Sequence, residues 1–166
     1  MEFNWIVLLG AALIPLLVGF VWYHEKVFGK AWMRESGLTE ESMKGANMAM
    51  IFGLSFFFAL LLALEMSTIV IHQMHMNSIL LNEPGINDPQ SDIGRYLADF
   101  MAKYGRNFRT FGHGAFHGIV VGLLFVLPVL GTNALFERKS FRYIAINTGY
   151  WIVSAALMGG VICAYL

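Results

Sequence analysis

Apolar residues run through this chain in four long blocks, bounded by aromatic or charged side chains, and the polar residues gather in the gaps between them. A helix of about 20 residues crosses the ~30 Å hydrocarbon core of a bilayer, and a backbone in lipid must satisfy its hydrogen bonds within the segment. The first block, WIVLLGAALIPLLVGFVWY from Trp5 to Tyr23, carries no charge and has aromatic residues at both ends, where such rings favour the membrane interface. The second runs from Ala46 to about Ile71 and holds one acid, Glu65; the third runs from Phe111 to Leu130 and the fourth from Tyr143 to Leu166. The pattern predicts an all-α polytopic membrane protein: a four-helix transmembrane bundle forming a single domain over residues 1–166. Four spans take up about half the chain, and no remaining stretch builds a second core.

The gaps have characters of their own. Residues 24–38, HEKVFGKAWMRESGL, mix Phe28 and Trp32 with cations, as a segment lying along headgroups would. Thr39 followed by Glu40 and Glu41 reads as an N-cap with acids in the first turn. If one helix continued from there through Met76, it would be about 38 residues or ~57 Å long and would protrude from the bilayer. NEPGINDPQ is a turn-rich breaker, after which Ser91 caps a short amphipathic helix with Ile93, Leu97, Phe100, Met101 and Tyr104 at helical spacing and Gly105 at its end. Pro15 and Pro128 should kink their spans.

Composition sharpens this picture. Hydrophobic residues make up 57% of the 166-residue chain and charged ones 13%, with zero net charge and one Cys. Soluble domains average about 25% charged. No basic field for nucleic acid exists, and one Cys closes no internal disulfide. The expected partners are therefore the lipid bilayer and a second copy or larger membrane complex, with no nucleic acid. A cleavable signal peptide is disfavoured, because Glu2 is the only ionisable side chain before Trp5 and no small-residue cleavage site precedes His24.

Cations orient the bundle. Lys26, Lys30, Arg34 and Lys44 lie between spans one and two, and Arg138, Lys139 and Arg142 between three and four; Arg95, Lys103, Arg106 and Arg109 lie on the other side. Seven against four places the first and third loops in the cytoplasm and both termini outside it.

Helices in lipid associate by close contact and polar bonds, so small residues mark contacts. Gly114, Gly118 and Gly122 form one stripe on the third span, with Gly159 and Gly160 among the small residues of the fourth. These stripes serve either packing within the bundle or a seam between copies. Asn147, one turn into the fourth span, is placed to bind a neighbouring helix, and His24 to wet its ring among Trp22, Tyr23 and headgroups.

The candidate chemistry is a polar cluster. On a continuous helix Glu65 and His72 share a stripe, with His75 one turn on; His113 and His117 open the third span at i, i+4. Both groups meet the same outer membrane face. Neutral imidazoles with a carboxylate suit Zn, Fe, Cu or Ni, and opposed histidines on facing helices suit haem. The alternatives are histidines that hydrogen-bond across a helix contact or sit in water, and a proton path through Glu65. No Ser-His-Asp set shares a face, Cys163 lies in an apolar run, and no phosphate-cradling glycine loop occurs.

Two stretches resemble a known family. GFVWYHEKVFGKAWMRESGLTEE is similar to the aromatic end of the first span and the following Phe-Gly-Lys-x-Trp segment of the domain-of-unknown-function 1761 family. LFERKSFRYIAINTGYWIVSAALMGG resembles its last loop and span, with Phe136-Glu137-Arg138, Asn147 to Tyr150 and Met158-Gly159-Gly160. The resemblance covers most of the chain and least of residues 77–107. It implies a small multi-pass protein of the bacterial inner membrane and supplies no catalytic residue.

Three functions compete. The leading one is a non-enzymatic small oligomer or accessory subunit packing through its glycine faces. The second is a transition-metal or haem protein using His72, His75, His113, His117 and Glu65. The third is a proton-coupled carrier or channel, which with four helices would need a dimer or higher assembly.

Overall fold

The computed structural model describes residues 3–166; Glu2 lies outside them. Every regular element among the described residues is helical. Helix α1, Trp5–Trp22, opens on Asn4, whose side chain accepts from the backbones of Ile6 and Val7. A π-helical turn, Glu25–Gly29, leads into α2, Lys30–Ser36, and then α3, Glu40–Met43. The second span is α4, Met48–Val70, followed by α5, Gln73–Ile79, and α6, Asp92–Tyr104. The third combines α7, Phe111–Val121, a π-helical turn, Gly122–Val126, and α8, Leu127–Phe136; the fourth is α9, Phe141–Tyr165. Four helices are therefore long and apolar enough to cross a membrane, of 18, 23, 26 and 25 residues. The chain alternates direction, so both ends lie at one face of the bundle, the termini face.

One expectation fails. No single helix joins Thr39 to Met76. Thr39 caps only four residues, in a reciprocal box with Ser42, and Gly45 then adopts a left-handed φ of 83° before Asn47 caps the chain again. At the far end Ile71 leaves the helix with φ −105° and ψ 87°. It follows Thr68, Ile69 and Val70, a β-branched run that crowds a helical turn and lowers its helix preference. The third span also continues to Phe136 instead of stopping at Leu130, and its π-helical turn just before Pro128 absorbs the disruption a mid-helix proline brings. The amphipathic helix forms as expected: Ser91 Oγ accepts from Gly94 N at 2.9 Å, and the helix stops at Gly105.

Packing follows from small side chains. Half of the apolar window of α9 is buried, against at most 22% in the other spans, so α9 is the central helix. A Cβ on Gly114 would strike the Gly159 carbonyl, and one on Gly118 the Ala155 carbonyl; one on Gly122 would come within 2.6 Å of Ile152. A Cβ on Gly159 would lie 2.9 Å from Met66 Cε of α4, and one on Gly160 2.6 Å from the Phe111 ring. All five glycines thus face neighbours within the chain. Leu8, Ala11 and Ala12 of α1, Ala63 and Met66 of α4, and Met158, Ile162 and Cys163 of α9 complete a fully buried core. The outer surface is apolar, with Phe20 80% and Leu124 75% exposed, which suits acyl chains.

The face away from the termini is tied together by polar bonds. Lys139 Nζ donates to the Ser36 carbonyl at 2.9 Å and Ser140 Oγ to Glu35 at 2.7 Å, so the first and third loops meet. The Ser140 bond and the Arg34 guanidinium hold the Glu35 carboxyl below the usual range. Trp22 Nε1 donates to the Ile146 carbonyl at 3.1 Å, and Asn147 accepts from the Tyr23 hydroxyl at 3.0 Å, as its position in the sequence suggests. His24 Nδ1 accepts from Lys26 N at 3.2 Å and so caps the π-helical turn.

A leucine at Gly118 must separate two touching backbones. Gly118→Leu should lower the unfolding free energy in micelles by about 3 kcal/mol or more, at the upper end of overpacking costs, whereas Gly112→Ala should be neutral or gain about 0.5–1 kcal/mol. Nothing lies within 4 Å of a Cβ at Gly112. Thermal and denaturant unfolding of the purified variants checks both.

Candidate metal centre

The end of span two and the start of span three meet at the termini face. Because the helix breaks at Ile71, His72 lies at the N-cap of α5, where its ring crosses to the opening of α7. Thr110 begins α7, its hydroxyl accepting from His113 N at 3.2 Å, and this sets His113 and His117 on the first two turns. His72 Nε2 lies 2.8 Å from His113 Nε2, and His113 Nε2 lies 3.1 Å from His117 Nε2. Ligand nitrogens of all three residues fall within 4.8 Å of one another.

The chemistry of imidazole makes this arrangement unusual for plain hydrogen bonding. A neutral ring nitrogen is either one donor or one acceptor with a single in-plane lone pair. His113 Nε2 faces two other Nε2 atoms and can complete only one good bond at a time. A cation accepts all three lone pairs at once. At Zn–N lengths of about 2.0–2.1 Å, a tetrahedral ion holds its nitrogens about 3.3 Å apart, near the two gaps of 2.8 and 3.1 Å on either side of His113. Three histidines also leave one position open. The 2.8 Å gap between His72 and His113 has no room for a porphyrin plane, so the group does not suit haem held between these two rings.

Aromatic rings flank the group, and His72 itself is exposed. The Phe108 ring lies 5.1 Å from that of His113 and edge-on to His72 at 6.3 Å, and Phe116 stands 5.8 Å from His117. Phe108 adopts a positive φ of 63°, a strained value for an aromatic residue. Its carbonyl accepts from Thr110 N at 2.8 Å and lies 3.3 Å from Cys163 Sγ of α9. Arg109 Nε donates to the Cys163 carbonyl at 2.7 Å. The last span therefore clamps the loop that delivers Phe108 and Thr110. Burial, then the neighbouring His113 and His75, push the His72 pKa below its ordinary value.

Two expected members stand apart. Glu65 is on an exposed face of α4, and neither it nor His75 belongs to the three-histidine group. The stripe linking Glu65 to His72 required a continuous helix, and Ile71 interrupts it. Sequence reasoning gave Phe108, Thr110 and Gln73 no role and read Arg109 only as an orienting cation; of their site roles only the Thr110 cap had a signal, a Thr just ahead of an apolar run.

Among known proteins, a family model described as protein of unknown function (DUF1761) matches residues 6–163. No curated protein and no solved structure matches the chain.

The lowered His72 pKa has a sign. As pH falls below 6.5, the ordinary histidine value, the unfolded chain binds its proton before the folded one does, so acidification should lower the stability of the metal-free protein. Unfolding between pH 7.5 and 5 should show that loss, and His72→Phe should reduce its slope.

Proposed function

The chain belongs to the DUF1761 family, whose description assigns no activity, and from that premise we propose that it is a metal-binding membrane protein taking a divalent transition ion, zinc foremost, on His72, His113 and His117. The observation that carries the reading is the convergence of three Nε2 atoms, two of the gaps being 2.8 and 3.1 Å. Borderline imidazole donors suit Zn²⁺, and three protein ligands with an open fourth position leave room for water or a small ligand. The arrangement of cations favours a bacterial inner membrane with the termini outside the cytoplasm, so the ion would exchange with the external side.

The competing readings have less to stand on. A subunit that packs against partners through its glycine faces would need those faces free, and Gly114, Gly118, Gly122, Gly159 and Gly160 are all occupied within the chain. A homo-oligomer or larger complex would use other surfaces. A proton relay through Glu65 lacks the expected contact with the histidines.

The purified protein should bind close to one Zn²⁺ or Co²⁺ per chain, with a cobalt spectrum of low-coordinate nitrogen ligation. His113→Ala should weaken binding by more than about a hundredfold, beyond the effect of outer-shell changes. His75→Ala and Glu65→Gln should leave affinity near that of the parent. Absence of stoichiometric metal, or parental affinity in His113→Ala, would end the proposal.

A further inference from the structure

Between spans two and three, residues 73–107 leave the bundle, and the two ends of this excursion are fixed more firmly than its middle. Val70 and Ile71 are each 1% exposed, and Cys163 Sγ of α9 lies 3.3 Å from the carbonyl oxygens of both Val70 and Phe108. These contacts anchor the stem. Among the described residues of the excursion, α5 buries Gln73 alone and α6 Gly94 alone. A Cβ on Gly94 would strike the Asp88 carbonyl, which belongs to the excursion itself. Ile79 is 73% and Leu81 69% exposed. An open cavity of about 360 Å³ lies between α5, α6 and the loop ahead of α7, so these parts are thinly packed on one another. Segments with so little buried surface sit at the low-stability end of a fold and open locally while the rest stays folded.

Two polar ties reach from the start of the excursion to its far end. Gln73 Nε2 donates to the Asn107 carbonyl at 2.8 Å. His72, the residue after the break at Ile71, sets its Nε2 2.8 Å from His113 Nε2. In an empty site the second tie is weak. His113 Nε2 stands between the nitrogens of His72 and His117 and bonds well to one of them at a time, so a bond to His117 is made at the expense of His72. An ion removes that competition, because it takes a lone pair from each of the three rings at once. The ligands also straddle the stem: His72 and His113 are 41 positions apart, one at the N-cap of α5 and the other on α7.

We propose that the ion acts as a clasp. Bound, it fastens α5, and with it the outer segment through α6, to span three; released, it lets this segment swing out about the buried pivot at Ile71. The protein thus presents two forms of its termini face, one for each metal state. This rests on the metal reading above and gives that site a conformational consequence. The open form separates His72 from His113 and His117 and so binds the ion poorly. Mass action then suppresses opening by up to a factor of 1 + [ion]/Kd, about 100-fold at an ion concentration of about 100 times Kd.

Trypsin digestion of the full chain in lipid nanodiscs, which leave both faces open to the protease, tests the clasp. Arg95 and Lys103 lie on α6, and Lys44, at the end of α3 on the opposite face, serves as the internal reference. With zinc at about 100 times Kd, cleavage at Arg95 and Lys103 should slow by about tenfold or more relative to EDTA-treated protein, towards the limit set by mass action, while cleavage at Lys44 keeps its rate. His113→Ala should be cut at the metal-free rate with or without zinc, and His75→Ala should be protected like the parent. Zinc bound at one per chain without slower cleavage at Arg95 and Lys103, or with equal slowing at Lys44, overturns the clasp and leaves the metal reading standing. Failure to bind zinc at all overturns both.

Discussion

Between α7 and α9 two backbones touch, with Gly114 and Gly118 set against the carbonyls of Gly159 and Ala155 and no side chain between them. Lipid tails are as apolar as Leu, so helices in a bilayer gain little from burying apolar surface on one another. They gain from close approach and from polar bonds. The seam supplies the first and makes the second possible: with α9 this near, Cys163 reaches the carbonyls of Val70 and Phe108, and the Cys163 carbonyl receives Arg109. The end of span two, the loop before span three and the end of span four are thereby held in one place. The three imidazoles meet on that platform.

The break at Ile71 is the second determinant. Had α4 continued, His72 and His75 would have ridden up one helix with Glu65 behind them. Instead the chain leaves the helix at a β-branched run, and His72 turns toward span three while Glu65 stays on an exposed face. The same break begins α5 at Gln73, one residue beyond the His72 of the three-histidine group. One irregular residue thus brings His72 to His113 and His117, leaves Glu65 and His75 outside that group, and starts the helix that lines a neighbouring cavity.

The two faces of the bundle differ accordingly. Away from the termini, indole, phenol and amide groups bond across α1 and α9, and the loops carry Lys139, Ser140 and Glu35 into contact. Those bonds satisfy their donors and acceptors. At the termini face the nitrogens of His113 and its neighbours are crowded with lone pairs that hydrogen bonding alone satisfies poorly, which is why the chemistry is read there.

The four spans, the Ser91-capped amphipathic helix and the contact glycines were legible in the sequence because each depends on local properties: apolar run length, capping side chains and residue size. His113 and His117 were legible as a pair because i, i+4 spacing needs only a helix. What the sequence could not decide was which groups join them. The positive φ at Phe108, the bond from Arg109 to α9, the bond from Gln73 to Asn107 and the exclusion of Glu65 and His75 all turn on how the chain runs past Ile71 and how closely α9 approaches α7. Distances between side chains on different helices are set by packing, and packing is a property of the folded bundle that no single stretch of residues carries.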